Sequence, residues 1–289
     1  MTERVFDFEC CGDNLCGIVH KTEITDNIGL LIIVGGPQYR VGSHRQFVLL
    51  ARMLATHGVC TMRFDYRGMG DSEGQRKNYE EIEEDIKIAI DKFFAEASDI
   101  SDIILWGLCD AATAAVNYAH KDPRVKGLVL LNPWVRDENT LAKTFIKHYY
   151  LKRIQSSEFW KKLLKGDVHI YNSLSSLVRK MISALKQIKQ DKRHMVNDPA
   201  QKINTCTNLQ KKLIDSIDRF KGSILFILSG NDLTAAEFKE SMKNNKQWNK
   251  LIKRETITIK NIDEANHTFA KQEWRDQVAK WTLQWVKSL

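Results

Sequence analysis

The chain has 289 residues, 43% of them hydrophobic, enough for one large domain or a domain carrying an insertion, and too apolar for a disordered chain. No basic stretch leading into an apolar run opens it and no run of about 18 apolar residues occurs, so neither a signal peptide nor a transmembrane helix is expected. Six cysteines without an export signal then point to free thiols in a reducing cytoplasm. The net charge of +8 is uneven: residues 143–219 hold 17 Lys/Arg against 6 Asp/Glu, leaving a mildly acidic remainder. A basic segment inside an acidic body predicts two structural units, one of them suited to an anionic partner.

Val5 to Cys10 and Leu15 to His20 read as a hairpin turning at Gly12-Asp13-Asn14. Leu30 to Val34 is a continuous apolar run, as in a strand buried on both faces, and Gly35-Gly36-Pro37 ends it. A helix is predicted from His44 to His57, with Phe47, Leu50 and Leu54 at helical spacing, then a strand over Val59 to Phe64. Tyr79 to Ala95 is an amphipathic helix with its acids early. Next come a strand running into Gly107-Leu108-Cys109-Asp110-Ala111 and its helix, and a strand over Gly127 to Leu131 closed by Asn132-Pro133. The alternation then stops, and residues 137–220 read as several basic helices. It resumes at Ile224 to Leu228 and ends with a strand over Glu255 to Ile259 and a helix over Lys271 to Lys287. An opening hairpin followed by strand–helix units predicts an α/β fold: a mostly parallel eight-stranded sheet, helices on both faces, and a helical cap at 137–220 between core segments 1–136 and 221–289. The cap would cover the strands' C-terminal ends, where open α/β sheets bind ligands.

The run around Cys109 has the layout of a nucleophile elbow. A strand ends, the chain turns sharply, and small residues (Gly107 and Ala111) flank the apex. The thiolate is the reactive form, and the start of a helix at Asp110 favours an anion there. Such a nucleophile needs a histidine within hydrogen-bond reach and a carboxylate to orient it. His267, after the last strand, and Asp232, after the strand ending at Leu228, supply these in the chain order nucleophile, acid, histidine. Asp263, four residues before His267, is the rival acid. Cys10, Cys11 and Cys16 lack paired zinc-ligand spacing and read as ordinary strand residues, so no metal site is assigned and no cofactor is required.

These motifs, with Phe64-Asp65-Tyr66-Arg67-Gly68-Met69-Gly70-Asp71-Ser72 matching a D-x-R-G-x-G-x-S turn and with Asn266-His267-Thr268-Phe269, resemble those of the α/β-hydrolases with a cap, the serine aminopeptidase-like group. The run Gly35 to His44 together with Gly107 to Asp110 more narrowly resembles the exosortase A system-associated hydrolases, bacterial proteins linked to polysaccharide and protein-sorting loci. The resemblance implies a hydrolase with a Cys109–His267–Asp232 triad and an acyl-enzyme intermediate. Arg67 and Ser72 read as structural members of their turn.

Three departures from the family pattern bear on the chemistry. A cysteine at the apex suits thioester and lactone chemistry and acyl transfer as well as ester hydrolysis. The oxyanion hole should pair the backbone N–H of Asp110 with one from the loop after the third strand; Pro37 has none, which leaves Gly36 or Gln38. The Asp110 side chain opposes a thiolate if it points inward and suits the helix N-terminus if it points away. Tyr39, Trp134, Tyr149 and Phe159 are candidate acyl-pocket residues, although the cap aromatics serve equally as the cap's own core. The cap's lysines are solvated helix faces or a landing zone for an anionic carrier: coenzyme A, an acidic carrier protein or an acidic glycan. No nucleic-acid module is present. The expected activity is hydrolysis of an ester, thioester or related small acyl substrate. The alternatives are an acyltransferase with the same nucleophile and a catalytically weak accessory protein.

Overall fold

The computed structural model describes residues 1–23, 26–36, 38–135 and 199–289, with 199–208 and 244 described by their backbone. The chain divides into two compact units, Met1–Arg136 with Gln210–Leu289, and Asp137–Leu209. The sheet belongs wholly to the first. Most of the cap predicted over 137–220 lies outside the described residues.

Eight strands form one sheet in the order β1-β2-β4-β3-β5-β6-β7-β8. They are β1 (Thr2–Cys10), β2 (Asp13–Lys21), β3 (Ile28–Ile33), β4 (Cys60–Phe64), β5 (Asp102–Leu108), β6 (Val125–Leu131), β7 (Ser223–Ser229) and β8 (Ile257–Ile262). From β4 to β8 every neighbouring pair is parallel, while β2 runs antiparallel to both β1 and β4. This is the α/β-hydrolase arrangement, with the helices α1 (Gln46–Thr56), α2 (Glu83–Glu96), α3 (Asp110–Ala119), α4 (Pro199–Arg219), α5 (Leu233–Asn244), α6 (Lys246–Leu251) and α7 (Gln272–Val286).

The central strands form because their apolar runs can be covered on both faces. Leu30 to Val34, Ile103 to Trp106 and Leu128 to Leu131 are all buried. The helices supply the cover through one stripe each: Phe47, Leu50, Ala51 and Leu54 from α1, and Ile86, Ala89, Ile90 and Phe93 from α2. Glu83, Glu84 and Asp85 occupy the first turn of α2, where the helix dipole favours acids.

Several boundaries differ from the sequence reading. The hairpin turns at Cys11 and Gly12, both with positive φ (55° and 87°), and Asp13 and Asn14 belong to β2. Two left-handed central residues match a primed two-residue turn, which suits the twist of the flanking strands. The first helix begins at Gln46 rather than His44, because His44 and Arg45 have φ of 53° and 59°. The second begins at Glu83; Asn78 and Glu81 close a turn before it. The last strand runs to Ile262, since Lys260 and Asn261 are exposed on the sheet edge and carry no apolar signal. The helices between Asp232 and β8 were not predicted.

Candidate active site

β5 delivers Cys109 to the C-terminal edge of the sheet. Its φ of 63° and ψ of −124° lie where side-chain-bearing residues seldom sit, and the strain is held by the surrounding backbone. Cys109 N–H donates to Leu131 O (2.9 Å), and Cys109 O accepts from Ala112 N–H (3.1 Å) and Trp134 N–H (3.2 Å). A Cβ on Gly107 would lie 2.7 Å from the backbone C and O of Ala111, so only glycine fits two residues before the apex.

Asp232 caps α5: its Oδ2 accepts from Ala235 N–H at 2.9 Å. The same oxygen lies 2.9 Å from His267 Nδ1. Burial works against the Asp232 carboxylate, but hydrogen bonding and charge from His267, with the N–H groups of Ala235 and Thr234, hold its pKa below the ordinary value. Burial likewise works against a charged His267. Hydrogen bonds to Asp232 and to Cys109, and their charges, outweigh it and push the imidazole up to about 10. Cys109, His267 and Asp232 therefore meet, and Asp263 is exposed.

A residue the sequence reading passed over positions the histidine. Asn132, fully buried at the end of β6, donates through Nδ2 to His267 O (3.0 Å) and accepts at Oδ1 from Ser229 N–H (2.9 Å). It ties the ends of β6 and β7 to the His267 loop. The only sequence signal was an amide closing an apolar strand.

The candidate oxyanion donors are already engaged. Gly36 N–H donates to Asp110 Oδ2 (3.0 Å), and Ala111 N–H to Asp110 Oδ1 (3.0 Å). Asp110 N–H also meets its own carboxylate, and Gln38 N–H donates to Gly35 O (3.2 Å). Burial raises the Asp110 pKa against these hydrogen bonds and the charge of His267. The Asp110 side chain thus does what neither sequence alternative described in full: it caps its own helix and reaches the loop after β3. Pro37 lies outside the described residues.

A family model described as serine aminopeptidase, S33, matches residues 29–273. The chain belongs to this family of α/β-hydrolases. No curated protein matches it significantly. Among solved structures it is similar to an esterase from Pyrococcus furiosus (TM-score 0.64, 12% identity, 99% of this chain and 91% of that one). It is also similar to Est1E of Butyrivibrio proteoclasticus with ferulic acid bound (0.61, 15%, 98% and 99%). A third is an alpha-beta serine hydrolase homologue from Coxiella burnetii (0.57, 15%, 97% and 97%). At these identities the likeness is one of fold.

The other family motif is structural in this hydrolase. Arg67 makes a two-pronged ion pair with Asp85 of α2, through Nε (3.0 Å) and Nη2 (2.8 Å). Ser72 Oγ donates to Asp65 O (2.6 Å) and accepts from Cys16 N–H (2.9 Å). Cys10 is buried, Cys16 half-buried and Cys11 exposed in the hairpin turn. Among the described residues no cluster of His, Cys, Asp and Glu could hold a metal, and no helix is long and apolar enough to cross a membrane. Of the pocket candidates, Trp134 is half-buried with its carbonyl accepting from Thr113 Oγ1 (2.8 Å), and Tyr39 is 46% exposed. Tyr149 and Phe159 lie outside the described residues. Tyr79, not singled out from sequence, has its pKa raised by burial and by the charges of Glu80, Asp110 and Cys109.

Proposed function

We propose that this hydrolase cleaves an ester or thioester through Cys109, His267 and Asp232. The observation that carries the reading is His267, hydrogen-bonded to Asp232 on one side and to Cys109 on the other. In this reading the Cys109 thiolate attacks the carbonyl carbon and a tetrahedral intermediate forms. Its collapse breaks the bond to the leaving group, which takes a proton from His267. Water then gives a proton to His267 and attacks the acyl-thioester; the carboxylic acid departs and the thiolate–imidazolium pair is restored. Asp232 keeps the imidazole oriented and stabilises its charged form without itself taking the proton. The esterases among the similar folds support the substrate class, and a cysteine nucleophile extends it to thioesters. The basic segment at 143–219 suits an anionic carrier of the acyl group. The motif resemblance to exosortase-associated hydrolases is in keeping with a bacterial polysaccharide or sorting system.

A second reading, a catalytically weak accessory protein, is favoured by one observation: Gly36 N–H and Asp110 N–H face the Asp110 carboxylate. Intact-mass analysis after exposure to 4-nitrophenyl esters and acyl thioesters separates the readings. An acyl adduct on the wild type that is absent from Cys109→Ala is expected. No adduct with any acyl donor favours the accessory role, and labelling that survives Cys109→Ala rules out this nucleophile.

A further inference from the structure

The Asp110 carboxylate occupies the place where a substrate's carbonyl oxygen would be received. Its Oδ2 accepts from Gly36 N–H (3.0 Å), and its own N–H faces it as well. The sequence makes room for this arrangement: a Cβ on Gly35 would collide with Asp110 Oδ1. The carboxylate is also within reach of a ligand. Cys109, Asp110 and Gly36 are half-buried, and a Cβ on Gly36 would meet nothing within 4 Å among the described residues.

Charge narrows what draws the carboxylate aside. Its hydrogen bonds all come from backbone N–H groups, those of Gly36, Ala111 and Asp110, and it makes no ion pair with a described residue. The charge of His267 reaches it, but that imidazole is already shared by Asp232 and Cys109. A half-buried carboxylate beside a thiolate carries a charge that a cation complements. A metal ion does not fit, since among the described residues no cluster of His, Cys, Asp and Glu could hold one. A cation carried by the substrate does.

Distance narrows the class further. In an acyl group with an amine on the carbon next to the carbonyl, the nitrogen and the carbonyl oxygen lie about 3 Å apart when both are on the same side, by ordinary bond lengths. With the oxygen against the N–H groups of Gly36 and Asp110, such an ammonium falls beside the displaced carboxylate. A cation farther along the acyl chain would leave the carboxylate on Gly36 N–H.

We propose that Asp110 is a specificity-determining residue that selects α-aminoacyl esters or thioesters, its carboxylate passing from Gly36 N–H to the substrate's ammonium so that the carbonyl oxygen takes the freed donors. The inference rests on Cys109 as the nucleophile. Cys109 Sγ bonds to the carbonyl carbon, the leaving oxygen or sulfur departs with the His267 proton, and water then releases the free amino acid. The ammonium keeps its protons throughout.

Kinetics with two benzyl esters of the same shape test it: L-alanine benzyl ester, and benzyl isobutyrate, in which a methyl replaces the ammonium. The wild type should favour the alanine ester in kcat/KM by about 10–100-fold more than hydroxide does, as a charge-assisted hydrogen bond would give. Asp110→Asn keeps the shape and removes the charge, and should bring the ratio back to that of hydroxide. Should that variant fail to fold, the wild-type ratio decides alone. A wild-type ratio no greater than hydroxide's overturns the inference and leaves the nucleophile standing. So does a preference that survives Asp110→Asn, which assigns the ammonium to another group. No turnover of either ester, with no acyl adduct on Cys109, overturns the proposed catalysis and this selectivity with it.

Discussion

Asp110 sets a negative charge where an acyl-transfer enzyme needs an empty cradle of donors. Its carboxylate takes Gly36 N–H and Ala111 N–H, and its own N–H as well. An oxyanion can use Gly36 and Asp110 N–H only if that carboxylate leaves, and a single such donor contributes roughly 3 kcal/mol to transition-state stabilisation. Asp110→Ala is therefore expected to raise kcat on a neutral ester by about tenfold or more, while removing a first-turn cap at a cost of about 1 kcal/mol. Steady-state kinetics with a urea melt check both; a fall in kcat would show that the carboxyl itself takes part in the reaction. His267 carries a second prediction. Its pKa in the fold, about 10, stands well above the ordinary histidine value of about 6.5. The imidazolium is thus favoured by folding, so its stabilisation is complete below about pH 6.5 and is lost as the pH rises through about 10. The stability difference between wild type and His267→Gln should shrink over that window. In the proposed mechanism the basic limb of kcat/KM reports loss of the His267 proton given to the leaving group, and it should fall near pH 10 rather than near 6.5.

At the scale of elements, the site is a meeting of strand ends, and Asn132 is the joint. Removing its amide leaves His267 O and Ser229 N–H short of partners in a buried position. Asn132→Ala should cost about 2–4 kcal/mol in stability and lower kcat more than it raises KM, because His267 loses its placement and the substrate loses no contact. A proportional change in KM alone would assign Asn132 to substrate binding instead. The strands and the elbow were legible because apolar runs bounded by turn residues and a Gly-x-Cys-x-Ala apex follow from local sterics. The joint was not, since Asn132 and His267 are 135 residues apart. The same limit applies to the oxyanion donors: Gly36 and Asp110 could each be proposed, but the occupation of Gly36 N–H by a side chain 74 residues away depends on the packed structure. Only the last residues of the edge strand β8, beyond the predicted 255–259, escaped, as Lys260 and Asn261 meet water and leave no apolar pattern.

Across the whole molecule, the antiparallel margin of the sheet is wired to the loop that follows β3. Asp65, fully buried at the end of β4, accepts from Arg40 N–H (2.6 Å), pairs with the Arg40 guanidinium and accepts from Asp71 N–H (3.2 Å). Gly70 must be glycine, because a Cβ there would lie 2.1 Å from Asp65 Oδ2. Arg40 O in turn accepts from Arg63 Nη1 (2.8 Å), and Arg63 Nε donates to His20 Nε2 (2.8 Å). Burial first, and the Arg63 charge second, push His20 down to about 4, so it stays neutral and can accept. Strands β2 and β4 and the loop segment around Arg40 are therefore tied together through one carboxylate, a role the glycine-rich turn motif did not disclose, since Arg40 lies 25 residues before Asp65. Asp65→Asn keeps the shape and removes the charge, leaving Arg40 with Asp71, which is 67% exposed, as its remaining ionic partner among the described residues. Breaking a buried pair from one side costs about 3–5 kcal/mol. The urea midpoint should drop accordingly with an unchanged m-value, because the same surface is exposed on unfolding. Activity should fall with it, since the loop bearing Gly36 and Gln38 loses its anchor. A midpoint shift worth less than about 1 kcal/mol would mean that the pair behaves as a surface ion pair and that the loop is held by its backbone alone.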